Sequence, residues 1–374
     1  MLRPVARVVC ACAVAALALT ATARPRAQAG PYDALAPGQW LELPGTTIRS
    51  VLPSPLPLGS PDAIILAWGG AAADTSRNRL IVWGGGHNDY YGNELYALDL
   101  TTKAMRRLTD PSPIGSPSRC LGTLPDGNPA SRHTYNNLVY MPHVDRMFAF
   151  GGAHACPQGG FVNDTWTFDF STNRWHLMNP AGPLPVYGVT ASAYDPVTQK
   201  VFIHDTYGFS SYDFATNRYT RHIADFSTDY HLTAAIDPAR RKFVLLGDGV
   251  QVIDLDTFAT SRLATTNTPA LVTDRQSPGA AFDPVANRIV AWHGGNAVYA
   301  LDLVAAAWTQ VAAGPGPNVP APQQGTYGRW NYFPQYGVFA LVNSIDQNAF
   351  LFRAGPPGAP GTTVPAAPTN LRVP

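Results

Sequence analysis

The stretch YALDL at residues 96–100 returns without change at residues 299–303. Three looser copies, WTFDF, SSYDF and QVIDL, lie at residues 166–170, 210–214 and 251–255. The aspartates that the five copies share are Asp99, Asp169, Asp213, Asp254 and Asp302. From Asp169 onward they are 44, 41 and 48 residues apart. Similarity at a period of about 40–50 residues is typical of proteins built from structural repeats.

A turn and an apolar run precede each copy. These segments occupy residues 74–83, 143–150, 195–204, 237–246 and 283–292, and a sixth version without the aspartate occupies residues 333–342. Asp-Pro in such a segment predicts a tight turn, and the apolar run predicts a buried strand. An asparagine six positions before the shared aspartate, as in Asn93 and Asn296, is expected to shape the turn that begins the next strand.

Four short strands per repeat predict the blade of a β-propeller, and we predict six blades. They lie near residues 60–109, 130–180, 186–225, 230–265, 277–312 and 325–354, and a seventh stays open if residues 44–60 or 109–131 hold a degenerate blade. The last copy lacks a fourth strand, and GQWLELPG at residues 38–45 fits it, with Trp40 in the place of Trp175 and Trp308. We therefore predict an all-β fold in which an N-terminal strand closes one propeller over residues 38–354 and removes a free sheet edge.

The stretch GGAHACPQGGFVNDTWTFDFSTNRW at residues 151–175 resembles a kelch repeat, with its glycine pair, its N-D-x-W sequence, an aspartate and a final tryptophan. Residues 84–100, GGGHNDYYGNELYALDL, are similar, whereas the third, fourth and sixth blades lack the glycine pair or the final tryptophan. The resemblance is to the kelch and galactose-oxidase-like β-propellers of bacterial secreted proteins, and it spans residues 60–354. Such proteins include binding scaffolds, oxidases and polysaccharide lyases, so the fold does not decide the function.

The two ends of the chain differ from the repeats. Residues 1–29 combine early arginines, an apolar stretch and small residues at the exit, as in a secretory signal peptide and leader. We expect a secreted protein, extracellular or periplasmic, with no membrane span, because the apolar stretch is too short to cross a bilayer. Residues 355–374 are rich in Pro, Ala and Gly and are predicted to be a linker. PAAPTNLRV within them resembles the start of a fibronectin type III module that would be truncated here.

Charge and cysteine content narrow the possible partners. The chain has 26 lysines and arginines against 25 aspartates and glutamates, and no basic run follows the predicted signal. Nucleic-acid binding normally requires clustered cationic side chains, so we expect no nucleic-acid partner. We also expect a monomeric protein. Cys120 and Cys156 are the cysteines that remain after the signal, and an oxidising compartment predicts a disulfide between them.

The candidate site lies on one face of the predicted propeller. The loops between the second and third strands, and the entries to the innermost strands, open on this face around the central channel. The loops carry possible ligand-binding residues, namely His87, Asp89, Tyr90, His154, Tyr207 and His293. The entries carry His133, Tyr187, Tyr230, His231, Tyr327 and Arg329. Any one of these side chains could serve only to form a turn or to pack the channel. The presence of several of them on one face indicates a site.

An extracellular polysaccharide or glycoconjugate is the partner that these side chains suit best, because aromatic faces pack on sugar rings and polar groups bind hydroxyls. If the protein is an enzyme, we expect a lyase that cleaves a uronate polysaccharide by β-elimination. Arg329 would neutralise the carboxylate, and His133 or His231 would take the proton. Tyr187 or Tyr230 would donate a proton to the leaving oxygen.

Two alternatives stay open. One is a non-catalytic kelch scaffold that binds a protein or a cell-wall partner. An enzyme is expected to bring Arg329, His133 and His231 together in one pocket, whereas in a scaffold these residues would be scattered. The other is a galactose-oxidase-like oxidoreductase, which is disfavoured because its copper site requires a cysteine crosslinked to a tyrosine, and a disulfide would use both cysteines. We predict no cofactor and no metal ligand. His87 and Asp89 are expected at the rim, because a glycine-rich loop is mobile unless it is tied down.

Overall fold

Six antiparallel sheets form a ring in the computed structural model of the protein, which describes residues 30–115, 120–186, 188–229, 231–272, 277–311 and 316–355. The innermost strands of successive sheets contact one another all the way around the ring. The fold is thus the predicted six-bladed β-propeller, and residues 44–60 and the described part of 109–131 form connections. The predicted signal and leader at 1–29, and the linker from residue 356 onward, lie outside the described residues. Within the described residues, no helix is long and apolar enough to cross a membrane.

The first three blades follow one another in chain order. Blade one contains β2 (Gly70–Asp74), β3 (Arg79–Trp83), β4 (Tyr96–Asp99) and β5 (Ala104–Arg107). Blade two contains β6 (Arg132–His133), β7 (Leu138–Met141), β8 (Arg146–His154), β9 (Phe161–Asp169) and β10 (Arg174–Leu177). Blade three contains β11 (Ala191–Asp195), β12 (Lys200–His204), β13 (Phe209–Asp213) and β14 (Arg218–Ile223).

The remaining blades repeat the pattern, except that blade six takes a strand from the start of the chain. Blade four contains β15 (Thr233–Asp237), β16 (Lys242–Leu246), β17 (Val250–Asp254) and β18 (Thr260–Arg262). Blade five contains β19 (Gly279–Asp283), β20 (Arg288–Trp292), β21 (Val298–Asp302) and β22 (Ala307–Val311). Blade six contains β23 (Trp330–Phe333), β24 (Val338–Leu341), β25 (Ala349–Arg353) and β1 (Gln39–Leu43). One short α-helix, α1 (Ala63–Leu66), precedes β2, and 3-10 turns cover Ile48–Val51, Ala270–Val272 and Tyr327–Arg329.

The predicted closure by an N-terminal strand is confirmed. β1 pairs antiparallel with β25 along its whole length, so blade six has four strands and the edge of β25 is covered. Trp40 of β1 is buried, with its ring centroid 5.0 Å from that of Phe352 and 5.5 Å from that of Trp330. Its Nε1 donates a hydrogen bond to the carbonyl oxygen of Asn296 at 3.0 Å, which also ties the closing strand to blade five.

The repeated aspartates begin hairpin turns. At the end of β15, Asp237 Oδ1 accepts hydrogen bonds from the backbone N–H groups of Ala239 and Arg240, at 3.1 and 3.0 Å. At the end of β21, Asp302 binds the N–H groups two and three positions later in the same way. A carboxylate that caps its own turn stabilises that turn, which explains why aspartates recur at such turns in blades one to five.

The apolar core lies between neighbouring blades. Trp83 of blade one packs on Trp175 of blade two, with ring centroids 4.6 Å apart. At the hairpin turns, Arg77 of blade one donates to Asp145 of blade two at 2.6 Å. Side chains from different repeats therefore hold the ring together, and each blade depends on its neighbours.

Asn93 and Asn296, which lie at the same position in their repeats, do not have the turn-forming role that the sequence predicted. Asn93 Nδ2 donates to the carbonyl oxygen of Pro129 at 2.9 Å, and Asn296 Oδ1 accepts from the N–H of Val319 at 3.1 Å. Both partners belong to the segment that leads to the next blade. The asparagines therefore anchor the connections between blades and do not shape the turns before their own strands.

Candidate functional site

One residue from each blade meets at one end of the central channel, on the face where the loops between second and third strands open. We call this the site face. Counting back six residues from the last residue of each innermost strand gives Trp68, Tyr135, Val189, His231, Ser277 and Tyr327. We call these six residues the mouth ring. Tyr135, Val189 and Tyr327 pack with Trp68 in one cluster, and Ser277 Oγ donates to the carbonyl oxygen of His231 at 3.1 Å.

Trp68 of the mouth ring contacts two histidines. Its ring centroid lies 5.0 Å from that of His133 and 6.2 Å from that of His231. His87 stacks on His133, with centroids 4.7 Å apart and an interplanar angle of 24°. Four rings from blades one, two and four thus form a contiguous group, which brings together three of the histidines that the sequence indicated.

Two of these histidines are hydrogen-bonded, one to a carboxylate and one to a tyrosine hydroxyl. The imidazole of His133 donates from Nε2 to Asp89 Oδ2 at 2.9 Å. The Nδ1 atom of His231 and the hydroxyl of Tyr327 are hydrogen-bonded at 2.9 Å. Each bond fixes the orientation of its imidazole, which is a requirement for proton transfer at a defined atom.

Burial lowers the pKa of both His133 and His231. For His133, which is 3% exposed, burial outweighs the opposing effect of its hydrogen bond to Asp89, and the charge of His87 lowers the pKa further. For His231, the charge of Asp229 opposes burial without cancelling it. The neutral imidazole, which accepts protons, is therefore the favoured form of both side chains.

The backbone of the site is strained. Trp68, His87, Tyr135 and Tyr327 have φ values of 50°, 45°, 45° and 49°, in the left-handed region that bulky residues rarely adopt. Such conformations carry a free-energy cost and persist where the surrounding structure enforces them, most often at functional sites. Three of these four residues occupy equivalent positions in the mouth ring, so the strain is a repeated feature of the strand entries.

The loop that carries His87 is held in place by its neighbours. The predicted disulfide between Cys120 and Cys156 is present. The backbone N–H of Cys156 donates to the carbonyl oxygen of His87 at 2.7 Å. A Cβ atom on Gly159 would lie 2.6 Å from His87 Cε1, so the turn after Cys156 approaches the imidazole as only glycine allows. His87 is therefore fixed from two sides although glycines precede it.

Arg329 is placed where it holds the scaffold. It is 1% exposed, and its guanidinium donates to the carbonyl oxygens of Gly69 at 2.8 Å, Val342 at 3.0 Å and Gly325. Burial lowers its pKa to about 10. The Gly69 contact joins blade six to blade one directly after Trp68. The guanidinium therefore hydrogen-bonds backbone carbonyl groups of the scaffold next to the mouth ring.

The other predicted residues are dispersed around the site. Tyr90 is buried and its hydroxyl donates to Glu94, and His154 is buried with its ring nitrogens near the carbonyl oxygens of Gly160 and Cys120. His293 is half-buried, and burial together with the charge of Arg329 lowers its pKa to about 4. Tyr207 is 47% exposed on the corresponding loop of blade three. Tyr187 and Tyr230 lie outside the described residues.

Sequence reasoning overlooked Trp68 and Val189 as members of the site. Trp68 lies in LAWGG at residues 66–70, where no histidine or arginine draws attention to it. The signal that identifies both residues is their distance of six positions from the end of the innermost strand, the same in all six blades. That count requires knowing where each strand ends.

Among the residues that the structure describes, no group of three or more His, Cys, Asp or Glu side chains is placed to hold a metal ion. The chain matches no protein-family model, and no curated protein sequence matches it.

Proposed function

We propose that this protein is a secreted kelch-type propeller that recognises an extracellular carbohydrate at the mouth ring and the histidines beside it. The observation that carries the proposal is the packing of two histidines, one hydrogen-bonded to a carboxylate and the other to a tyrosine hydroxyl, against the single ring of Trp68. Secretion is supported by the Cys120–Cys156 disulfide, because disulfides persist in oxidising compartments.

The surface of the site suits a sugar chain. Trp68, His87 and His231 are half-buried, so each keeps part of its ring at the surface, and Asp89 has an exposed carboxylate. An aromatic ring packs on the C–H face of a pyranose, while imidazole and carboxylate groups bind its hydroxyls. The partly exposed groups around the mouth ring therefore supply both kinds of contact.

β-Elimination is the reaction that we assign to this arrangement on a uronate polysaccharide. His231 takes the proton from the carbon next to the carboxylate, with its Nδ1–H directed to Tyr327 and its Nε2 acting as base. The electron pair forms a carbon–carbon double bond, and the bond to the leaving oxygen breaks. That oxygen takes a proton from a tyrosine, and Tyr187 and Tyr230 remain the candidates for this role. His133 positions Asp89, which binds a hydroxyl of the substrate.

A second candidate function is favoured by the surroundings of Arg329. Its guanidinium binds three backbone carbonyls and is 1% exposed, so it does not reach a uronate carboxylate in this arrangement. The same face would then bind a neutral glycan, or a cell-wall partner, without cleaving it. In that case the strained mouth ring provides a rigid recognition surface.

One experiment separates these functions. The protein is produced in the periplasm and tested on a glycan array and on alginate, polygalacturonate and a neutral glucan, with ultraviolet absorbance reporting unsaturated uronate. Product that disappears in His231→Ala, while binding is retained, supports the lyase. Binding without product supports the scaffold. Absence of binding to every glycan would contradict carbohydrate recognition.

A further inference from the structure

The central channel also opens on the face opposite the site face, where the innermost strands end. A cavity of about 370 Å³ lies there, and residues of all six blades line it. Its inner end includes Asn136 and Gly328, which directly follow Tyr135 and Tyr327 of the mouth ring. None of the described residues that line the cavity belongs to the mouth ring itself. The cavity therefore ends next to the mouth ring without including it.

Equivalent residues of the six blades surround this cavity. They are the last-but-one residues of the innermost strands, which we call the exit ring: Ala73, Tyr140, Tyr194, Ile236, Phe282 and Tyr332. Four of the six are aromatic, and Tyr194, Phe282 and Tyr332 are half-buried, so part of each residue is accessible. In five blades the residue two positions further on is a proline that also lines the cavity. Proline has no backbone N–H, so the opening is bordered mainly by aromatic and apolar groups.

The wall of the cavity is uncharged. Its described lining contains no aspartate, glutamate, lysine, arginine or histidine. The residue before the exit ring is alanine in four blades, which keeps the channel wide. At the inner end, Asn136 Oδ1 accepts hydrogen bonds from the backbone N–H groups of Ser192 and Ala234, at 3.2 and 2.9 Å. An ion inside the cavity would lose its hydration without gaining a counter-charge, so the wall favours a neutral ligand.

The size of the cavity sets the size of the ligand. A cavity of about 150 Å³ holds benzene, so this one has room for two rings. Ligand pockets typically have volumes of about 300–1,000 Å³ and walls that are mainly apolar and aromatic. We propose that the cavity is a second ligand site, which binds a neutral aromatic molecule of one or two rings through the exit ring. Aromatic rings pack edge-to-face or offset on one another, and the exit ring supplies such partners. This proposal does not rest on the carbohydrate function.

The test uses the purified full chain and 2-naphthol. Ligand-observed NMR detects binding, and calorimetric titration measures the Kd. The charged analogues naphthalene-2-sulfonate and 2-naphthylmethylammonium keep the two rings. We expect 2-naphthol to bind and both analogues to bind at least about ten-fold more weakly, because the wall offers no counter-charge.

Two variants change the cavity in opposite ways. Ala193→Leu fills part of the channel and should weaken 2-naphthol binding about ten-fold or more. Phe282→Ala removes one ring of the exit ring and should weaken it about three- to ten-fold. Ala305→Leu, an exposed position outside the cavity, is the control and should leave the Kd unchanged. Because one variant adds volume and the other removes it, the test survives if either folds poorly.

Further arms locate the bound probe. His231→Ala at the mouth ring should leave 2-naphthol binding intact, which separates this site from the central one. The proposal is overturned if 2-naphthol does not bind, if a charged analogue binds equally well, or if both cavity variants bind as the parent does. Binding only after removal of residues 356–374 would assign the cavity to that segment and overturn the proposal. A dimer in gel filtration that dissociates as 2-naphthol binds would assign the cavity to a second copy, with the same consequence.

Discussion

The imidazole of His231 and the hydroxyl of Tyr327 are hydrogen-bonded at 2.9 Å although 96 residues separate them in the chain. They belong to blades four and six, and the small Ser277 occupies the equivalent position in blade five between them. The hydroxyl of Ser277 donates to the carbonyl oxygen of His231 at 3.1 Å, and its own carbonyl oxygen accepts from the N–H of Thr326 at 2.6 Å. Blade five therefore connects the backbone of the His231 position to the segment directly before Tyr327.

The carboxylate of Asp89 should control the protonation of His133. Its hydrogen bond and its charge both raise the pKa of that imidazole against the effect of burial, so Asp89→Asn should lower the pKa. Because the side chain of Asp89 is 47% exposed and partly screened, we expect this further decrease in the pKa of His133 to be small. NMR titration of the histidine ring protons measures it. The exposed Asp126→Asn is the control, and an equal shift in both variants would contradict the assignment.

His87 should contribute to binding and not to chemistry. His87→Ala removes a ring that stacks on His133 but leaves both hydrogen-bonded pairs intact. We expect glycan affinity to fall about three- to ten-fold, whereas His133→Ala, which releases Asp89, should abolish function. Calorimetric titration and rate measurement on the same glycan distinguish the two. Loss of activity with unchanged binding in His87→Ala would make His87 the chemical centre.

Arg329 should behave as a structural residue. Arg329→Ala leaves three carbonyl oxygens without their donor, so the free energy of unfolding should fall by about 3 kcal/mol or more. Urea denaturation measures the change, with the exposed Arg262→Ala as the control. If Arg329→Ala is as stable as the parent and has lost only function, the arginine acts on the ligand, as the sequence had suggested.

Closure of the ring should depend on Trp40. Its removal in Trp40→Ala deletes a buried aromatic packed against Trp330 and Phe352, which should cost about 3–5 kcal/mol. Deletion of residues 31–45 should be more severe and should cause self-association, because it exposes the edge of β25. Thermal melts and gel filtration report both effects. The exposed Val304→Ala is expected to change neither.

Two half-buried histidines, His222 and His293, should make the fold sensitive to acid. Burial lowers the pKa of His222 and of His293 to about 4 in each case, below the ordinary value of 6.5. Between these values the unfolded chain binds more protons than the folded one. Stability is therefore complete above pH 6.5 and falls as the pH drops toward 4. Urea midpoints across this range should flatten in the double variant His222→Gln, His293→Gln, and an unchanged slope would refute the attribution.

The sequence was sufficient for the parts of the molecule that depend on local chemistry. The aspartates that cap hairpin turns, such as Asp237 and Asp302, recur because a carboxylate can cap its own turn, and their spacing indicates the length of one blade. Trp40 was placed correctly because it corresponds to Trp175 and Trp308, which the outer strands of blades two and five present to the same kind of core. The disulfide followed from the number of cysteines and the expected compartment.

The site was only partly predictable, because it depends on which residues meet across the ring. His133 and His231 were identified as candidates from the sequence. Their packing on Trp68 was not predicted, because the three residues belong to different blades and no local pattern relates them. Arg329 was predicted to bind a uronate carboxylate because it follows Tyr327 at a strand entry. Its contacts to Gly69 and Val342 are made by tertiary structure and cannot be seen from neighbouring residues.

The pairing of β1 with β25 also sets the order of events during folding. Gln39 is the partner of Arg353, so the contact that completes the ring joins positions near opposite ends of the folded region. Loop closure over such a separation is slow, and during synthesis it cannot begin until Arg353 has left the ribosome. Until then β1 has no partner, and once β25 is made its edge stays unpaired until β1 docks, so a chain that has not closed its ring is the species most exposed to aggregation. Chaperone protection of that edge should matter more for this protein than protection of any single blade.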